Sequence, residues 1–207
     1  MQVVAYIISA DDIKKDLPGY DPVHSEKMHS ESARLADKAY TEALKNRPED
    51  TVILMSGGSA SGKTEYVSTY LSRRKAIIFD GTMPTFEGAK IKISKALKCK
   101  KKVEVHAVLP ENLLTAFIAF LNRDRKFPPE HFYRTHSESR KTLLEIAKNL
   151  PDIPIVIIMS LYLHKKSSSK MSFGALRGSN REALVEFLEK NQYTEEQIKR
   201  EQRLYDI

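Results

Sequence analysis

The most informative stretch of the chain reads Thr51-Val52-Ile53-Leu54-Met55-Ser56-Gly57-Gly58-Ser59-Ala60-Ser61-Gly62-Lys63-Thr64. Its first part is apolar and rich in β-branched residues, which is typical of a buried strand. The strand leads directly into a loop of the form G-x-x-x-x-G-K-[ST], with every fixed position filled. Glycines allow such a loop to turn its N–H groups inward, and a helix predicted over Thr64–Ser72 adds positive potential from its first turn. The stretch therefore predicts a loop that binds phosphate groups.

In loops of this kind, called P-loops, the lysine reaches the β- and γ-phosphates of ATP, and the following hydroxyl holds Mg²⁺. Here those residues are Lys63 and Thr64. The predicted nucleotide-binding residues are Gly57, Gly58, Ser59, Ala60, Ser61, Gly62, Lys63 and Thr64. The chain lacks the Asn-Lys-x-Asp motif of guanine-binding proteins, and 207 residues are few for a motor ATPase. A kinase for a small substrate is therefore the leading class, with ATP and Mg²⁺ as cofactors.

Strands and helices are predicted to alternate along the whole chain. Further apolar runs rich in Val and Ile are Val3–Ser9, Lys75–Asp80, Val103–Leu109 and Ile153–Leu161. Helical patterns cover Asp21–Leu44, Pro84–Lys98, Glu111–Asn122, Pro128–Leu150 and Arg181–Lys190, with a last polar helix from Thr194. Continuous apolar strands favour a parallel sheet covered on both faces. The prediction is an α/β three-layer sandwich of P-loop NTPase type with a five-stranded, mainly parallel sheet, and His164–Gly178 as a mobile loop.

Charge and composition narrow the partners. The net charge of +7 favours an anionic ligand, and the single cysteine, Cys99, excludes an internal disulfide and a cysteine-based metal cluster. No apolar run approaches the roughly 20 residues that span a bilayer, and no basic segment precedes the apolar N-terminal stretch. We expect a cytoplasmic protein without a membrane partner.

Two acidic positions follow predicted strands. Asp80 comes directly after Ala76–Phe79, as in a Walker B element, whose carboxylate lies beside Mg²⁺. Only one helix and one strand fit between Thr64 and Asp80. There is no room between them for a further strand and helix that could carry an acid facing the acceptor substrate of a kinase. Such a unit precedes the P-loop instead, where the first strand is followed by Asp11 and Asp12.

Taken together, these elements resemble the zeta-toxin-like P-loop kinases, to which chloramphenicol phosphotransferase is related. Ile7–Tyr20 resembles the family's first acid-bearing strand and the K-x-x-x-P-x-[YF] segment that follows it. Phe79–Thr82 resembles a later strand of the family, which ends in an acid followed by Gly and Thr. Asn122–Pro128 is similar to the arginine-bearing lid, and the resemblance covers roughly residues 4–160. The order departs from the family, because the acid-bearing strand comes before the P-loop, as in a circular permutation. The alternative is that Asp11-Asp12 only caps a helix after an unrelated strand.

The resemblance implies catalytic roles. Asp11 matches the general base that removes the proton of the acceptor hydroxyl, while Asp12 caps the following turn. Arg123 and Arg125 match the lid arginines that stabilise the transferring phosphoryl group, and Lys63 holds the ATP phosphates. Guanidinium groups suit this task because phosphoryl transfer depends on positioning and electrostatic stabilisation.

The resemblance also implies ligands and partners. Asp80 and Thr82 line the acceptor site, and Thr64 and Asp80 serve Mg²⁺. The acceptor is a hydroxyl of a small molecule, for example a sugar nucleotide such as UDP-N-acetylglucosamine, and an antitoxin protein is a candidate partner. On this reading residues 1–178 form the kinase domain and residues 179–207 its C-terminal helical extension.

Two other functions stay open: a kinase for nucleic acid ends, and an ATP-binding switch that acts through a partner protein. The nucleic-acid alternative depends on a run of lysines: Lys90, Lys92, Lys95, Lys98, Lys100, Lys101 and Lys102. A solvated helix face with cations at its C-terminal end explains that run more simply. A switch does not require a base that faces an acceptor hydroxyl, so a catalytic role of Asp11 would favour a kinase over a switch.

Overall fold

The computed structural model describes residues 4–124, 126–165, 168–176 and 180–203, and these contain one six-stranded sheet. The strands are β1 (Tyr6–Ser9), β2 (Thr51–Ser56), β3 (Ile77–Asp80), β4 (Lys102–Pro110), β5 (Ile155–Lys165) and β6 (Ser168–Leu176). Their order across the sheet is β1-β3-β2-β4-β5-β6. The first five strands are parallel, and β6 runs antiparallel to β5. The predicted α/β class is confirmed, with one strand more than expected.

Helices connect the strands, as the alternating pattern predicted. They are α1 (Ala10–Lys15), α2 (His29–Asn46), α3 (Lys63–Tyr66), α4 (Phe86–Lys98), α5 (Leu113–Leu121), α6 (Pro129–Asn149), α7 (Arg181–Lys190) and α8 (Glu195–Arg203). A 3₁₀ helix, Pro22–Met28, precedes α2, and a π-helical turn, Val67–Leu71, continues α3. Among the described residues, none of these helices has both the length and the apolar character needed to cross a membrane.

Alternate residues of the strands pack on opposite faces of the sheet. In β2, Val52 and Leu54 face a core built with α2, α4, α6 and α7. Ile53 and Met55 face a second core with Val67 and Leu71, from the turn that continues α3. Both faces of the central strand are therefore covered, which explains its continuous apolar sequence.

The N-terminal strand β1 lies beside β3, the strand that ends at Asp80. In the parallel pair of β1 and β3, Ser9 is opposite Asp80, and β2 flanks β3 on the other side. Asp11, just after β1, and Asp80, at the end of β3, therefore lie at the carboxyl ends of neighbouring parallel strands. The predicted cap at Asp12 is wrong: the Ser9 hydroxyl accepts from the Asp12 N–H at 3.2 Å and caps α1, and Asp12 pairs with Lys15 at 2.7 Å.

Two predicted elements differ from the structure. The helix predicted from Asp21 begins at His29, because the backbone leaves helical geometry at His24 (φ −120°, ψ 37°). The loop predicted over His164–Gly178 is wrong for the part that the structure describes, since Ser168–Leu176 forms β6.

The C-terminal helices pack on α6. Leu188 of α7 is buried in the main core, and Ile198 of α8 is buried against α5, α6 and the P-loop residue Ala60. The guanidinium of Arg181 donates to the carbonyls of Ile146, Ala147, Leu150 and Ile153. Those carbonyls end α6 or follow it, so Arg181 ties down the C-terminal end of the helix; the carbonyls of Ile146 and Leu150 also accept from backbone N–H groups.

Candidate active site

The P-loop links β2 to α3 in a tight turn that depends on two glycines. Gly57 (φ +133°) and Gly62 (φ +92°) adopt left-handed backbone conformations that favour glycine. A Cβ atom on Gly57 would lie 2.3 Å from the Val108 carbonyl oxygen, so β4 packs directly on the loop. The first glycine of the motif is therefore needed both for the turn and for the close contact of the loop with β4.

The side chain of Lys63 folds back over the loop. Its ammonium group donates to the carbonyls of Gly57 and Gly58, both at 2.8 Å. Burial lowers the pKa of Lys63 to about 8, and the charge of Asp80 acts against that shift. The ammonium is therefore desolvated and close to its titration point, which makes its interaction with an added anion strong.

We expect nucleotide binding to weaken as pH rises above about 8. Below its pKa, Lys63 is charged and attracts phosphate. Above it the ammonium must regain a proton to bind, so affinity falls by about tenfold per pH unit. Calorimetric titration with MgATP between pH 7 and pH 9.5 measures this. Lys63→Arg is the control, because a guanidinium stays charged; equal slopes for the two proteins would contradict the role of Lys63.

Thr64 and Asp80 present hard oxygen ligands side by side. The Thr64 hydroxyl donates to Asp80 Oδ2 at 3.1 Å. Burial raises the pKa of Asp80, and the Lys63 charge and the Thr64 hydrogen bond act against that shift. A half-buried carboxylate beside a hydroxyl fits Mg²⁺, which prefers oxygen ligands and is held by one or two carboxylates together with substrate phosphates.

The ring of His136 from α6 lies against Gly58. A Cβ atom at Gly58 would come within 2.3 Å of the imidazole carbons, and the ring is fully buried. We expect Gly58→Ala to lower the free energy of unfolding by about 1–3 kcal/mol, as for other overpacked sites, and to reduce nucleotide binding.

Urea denaturation and MgATP titration measure both effects of the Gly58 substitution. Gly174→Ala is the matched control, since its added methyl group meets nothing within 4 Å. Wild-type affinity in Gly58→Ala would show that the loop tolerates displacement at this point.

Two adjoining cavities lie above this edge of the sheet. One, of about 330 Å³, is lined by the P-loop together with Asp80 and Thr82. The other, of about 340 Å³, opens toward α6. The residues shared by both are Asp11, His29, Ser59, Thr82, Pro84, Thr85 and Arg123. A carboxylate and a guanidinium therefore lie at the boundary between the P-loop cavity and its neighbour.

The second cavity combines aromatic, cationic and acidic groups. The His131 ring stacks on Phe127 with centroids 4.4 Å apart, and Arg134 and Glu138 complete the wall. Burial lowers the pKa of His131 to about 4, and it raises the pKa of Glu138. The imidazole is therefore neutral at physiological pH and offers a planar, polar surface to a ligand.

The structure brings most of the predicted site residues together. The residues Gly57–Thr64 form the P-loop, and Asp11, Asp80, Thr82 and Arg123 line the cavities beside it. Arg125 lies outside the described residues. Sequence reasoning missed Thr135 and His136, which contact Ser59 across 76 and 77 positions of the chain. Their sequence neighbourhood is an ordinary amphipathic helix and carries no signal of this contact.

No protein-family model matches the chain, and no curated protein matches it in sequence. Among solved structures, it is similar to crystal structures of the AvrRxo1-ORF1:AvrRxo1-ORF2 complex in native form, with sulphate ions and with ATP. Each is 12% identical, with TM-scores of 0.45, 0.45 and 0.48. The alignments cover 84%, 83% and 85% of this chain and 75%, 74% and 74% of the other. Likeness of this extent carries no inference about ligand or activity.

The lysine run on and after α4 is partly engaged in the fold. Lys92 pairs with Asp37 at 2.8 Å, and Lys101 donates to the carbonyls of Arg47 and Glu49 after α2. Lys95 donates to the Thr41 hydroxyl at 3.4 Å. These contacts give part of the positive charge a structural role in the fold, which leaves fewer lysines of the run for a nucleic acid.

Proposed function

We propose that the chain is an ATP- and Mg²⁺-dependent phosphotransferase that moves the γ-phosphate to a hydroxyl of a small molecule. One observation carries the proposal: Asp11 and Arg123 line both the P-loop cavity and the cavity next to it. A base and a cation at that boundary are the groups that transfer between two bound substrates requires. A slow ATPase switch needs no second cavity with a carboxylate at its entrance.

The chemical step follows from these positions. Asp11 accepts the proton of the acceptor hydroxyl while the oxygen of that hydroxyl forms a bond to the γ-phosphorus. The bond from that phosphorus to the β,γ-bridging oxygen breaks, and ADP leaves with the electron pair. The ammonium of the buried Lys14 lies 3.8 Å from Asp11 Oδ1, one turn along α1, and is proposed to hold the carboxylate in place.

Cationic groups stabilise the charge of the transferring group. Lys63 holds the phosphates from the P-loop side, and Arg123 approaches from the acceptor side. Thr64 and Asp80 would hold Mg²⁺, which supplies charge neutralisation at the β- and γ-phosphates. Arg125 of the segment that resembles a lid is proposed to assist Arg123.

The acceptor we propose is a sugar nucleotide such as UDP-N-acetylglucosamine, in keeping with the resemblance to zeta-toxin-like kinases. Stacked rings at His131 and Phe127 suit a planar or sugar group, and Arg134 suits an anionic one. An antitoxin protein as partner is part of the same proposal and rests on the resemblance alone.

The test is incubation of the purified chain with γ-labelled ATP, Mg²⁺ and a panel of candidate acceptors. The panel contains sugar nucleotides, free sugars, a small-molecule cell extract and an oligonucleotide with 5′-hydroxyl ends. We expect label on a small-molecule alcohol. Label only on the oligonucleotide would favour the nucleic-acid kinase, and label only in inorganic phosphate would favour the switch.

A further inference from the structure

The outer side of the P-loop is held by side chains that lie outside its motif. Three consecutive carbonyls, those of Ser59, Ala60 and Ser61, each accept a hydrogen bond from a distant residue. Their donors are His136 Nε2 at 2.8 Å, the Tyr162 hydroxyl, and the Ser160 hydroxyl at 2.7 Å. The shape of the loop therefore depends on α6 and β5 as well as on its own glycines.

His136 makes two contacts with the loop. Because Nε2 lies 2.8 Å from a carbonyl oxygen, that nitrogen carries the ring proton. The face of the ring fills the space that a side chain at Gly58 would occupy. Burial lowers the pKa of His136 well below its usual value, so the ring is neutral with an unprotonated Nδ1. Nδ1 has no hydrogen-bond partner among the described residues, which suits a nitrogen without a proton.

Thr135, the preceding residue, holds the other backbone polar group of the same residue, Ser59. Its hydroxyl accepts from the Ser59 N–H at 3.0 Å. The hydroxyl proton lies within reach of the Phe132 carbonyl and the Ser59 hydroxyl, at 3.2 and 3.3 Å. Consecutive residues of α6 thus bind the N–H and the C=O of Ser59, and both α6 side chains are buried.

These contacts set the direction of the next amide group. The C=O and N–H of one trans peptide unit point in opposite directions. Fixing the Ser59 carbonyl toward α6 therefore turns the Ala60 N–H away from α6. In a P-loop, backbone N–H groups turned to the inside of the loop bind the phosphates.

The helix that provides this support is itself anchored. Arg140, one turn after His136, donates to the Asn191 carbonyl at 3.1 Å, and Gln192 donates to the Arg140 carbonyl at 3.1 Å. Arg181 binds the carbonyls at the C-terminal end of α6. The middle and the end of α6 are therefore tied to the C-terminal part of the chain, which lets α6 act as a rigid support.

We propose that Thr135 and His136 are positioning residues that hold Ser59, and with it the P-loop, in the shape that binds the phosphates of ATP. The proposal rests on the proposed function, since it assumes that the loop binds a nucleotide. It also makes α6 a structural link between the two cavities, because Arg134 lines one of them and the next two residues hold the P-loop.

The test measures the Kd of MgATP for paired variants of each residue. Thr135→Val keeps the shape but removes the hydroxyl, and His136→Leu removes the ring donor. We expect each to weaken binding by about tenfold, because a buried polar group of Ser59 loses its partner. Thr135→Ser and His136→Gln retain a hydroxyl and an N–H donor, and we expect them to bind ATP within about threefold of wild type.

Controls separate positioning from folding. Thr142→Val makes the same substitution at another buried threonine of α6 and should leave the Kd unchanged. Wild-type affinity in Thr135→Val and His136→Leu, or an equal loss in Thr142→Val, would overturn the proposal. Amide hydrogen exchange at Ser59 needs no ligand: we expect about tenfold faster exchange in Thr135→Val, and unchanged exchange would also overturn it. If the wild-type chain binds no ATP, the proposed function fails, and the exchange result still decides on the support of the loop.

Discussion

Asp11→Asn is expected to lower kcat for phosphotransfer by roughly 10²–10⁴-fold, the usual contribution of a general base, with the Kd of ATP near the wild-type value. Asparagine keeps the shape of the side chain but cannot take the proton of an acceptor hydroxyl. Asp11 lies in the first turn of α1, outside the P-loop, and lines both cavities. Steady-state transfer rates and calorimetric ATP titration measure the two quantities separately.

The neighbouring acid provides the control for Asp11. Asp12 lies in the same turn, is exposed and pairs with Lys15 at 2.7 Å. We expect Asp12→Asn to transfer phosphate at the wild-type rate. Full activity in Asp11→Asn, or the same loss in both variants, would remove Asp11 from the role of base.

Arg123→Met is expected to lower kcat by roughly 10³–10⁵-fold, the range found for arginines that stabilise the transferring phosphoryl group. Arg123 follows α5 and lines both cavities, and the proposal assigns its guanidinium to the transferring phosphoryl group. The effect should appear in kcat much more than in the Kd of ATP, because the charge it stabilises develops in the transition state. Single-turnover rates at saturating ATP measure it.

Arg123→Lys and Arg34→Met complete that experiment. Lysine keeps the charge but loses the planar fork, so we expect a partial loss of rate. Arg34 is exposed on α2 and pairs with Glu31 at 2.7 Å, and its replacement should have no effect on transfer. A purely structural role for Arg123 would instead lower thermal stability and leave the rate per folded molecule unchanged.

Local sequence was sufficient to predict the central part of the fold. The run Val52–Met55 is apolar at every position because its alternate residues face two cores, and the P-loop motif follows it directly. The sequence also predicts that a strand ending at Asp11 precedes the P-loop, and that a later strand ends at Asp80. The pairing of Ser9 with Asp80 places their strands side by side.

The last strand was missed because its composition is that of a loop. Ser168–Leu176 contains several serines and a glycine, and as the outermost strand it pairs with only one neighbour. The alternation of Met171 and Phe173 with Ser172 and Gly174 was the available signal, since it has the period of a strand. Phe173 packs against the second core, which supplies the burial that the composition does not suggest.

The support of the P-loop by α6 could not be predicted from one sequence. Thr135 and His136 lie on a helix whose apolar positions already explain its packing. Their contact with Ser59 joins residues 76 and 77 positions apart, and α6 is held by the core and by hydrogen bonds with Asn191 and Gln192. Tertiary packing, rather than local pattern, decides such contacts.

The most direct test of the phosphotransferase proposal is to follow the γ-phosphate of labelled ATP in wild type and in Asp11→Asn, with the same small-molecule extract. We expect wild type to place most of the label on an organic hydroxyl, and Asp11→Asn to bind ATP equally well while placing almost none there. Release of label only as inorganic phosphate, at the same rate from both proteins, would contradict transfer through Asp11.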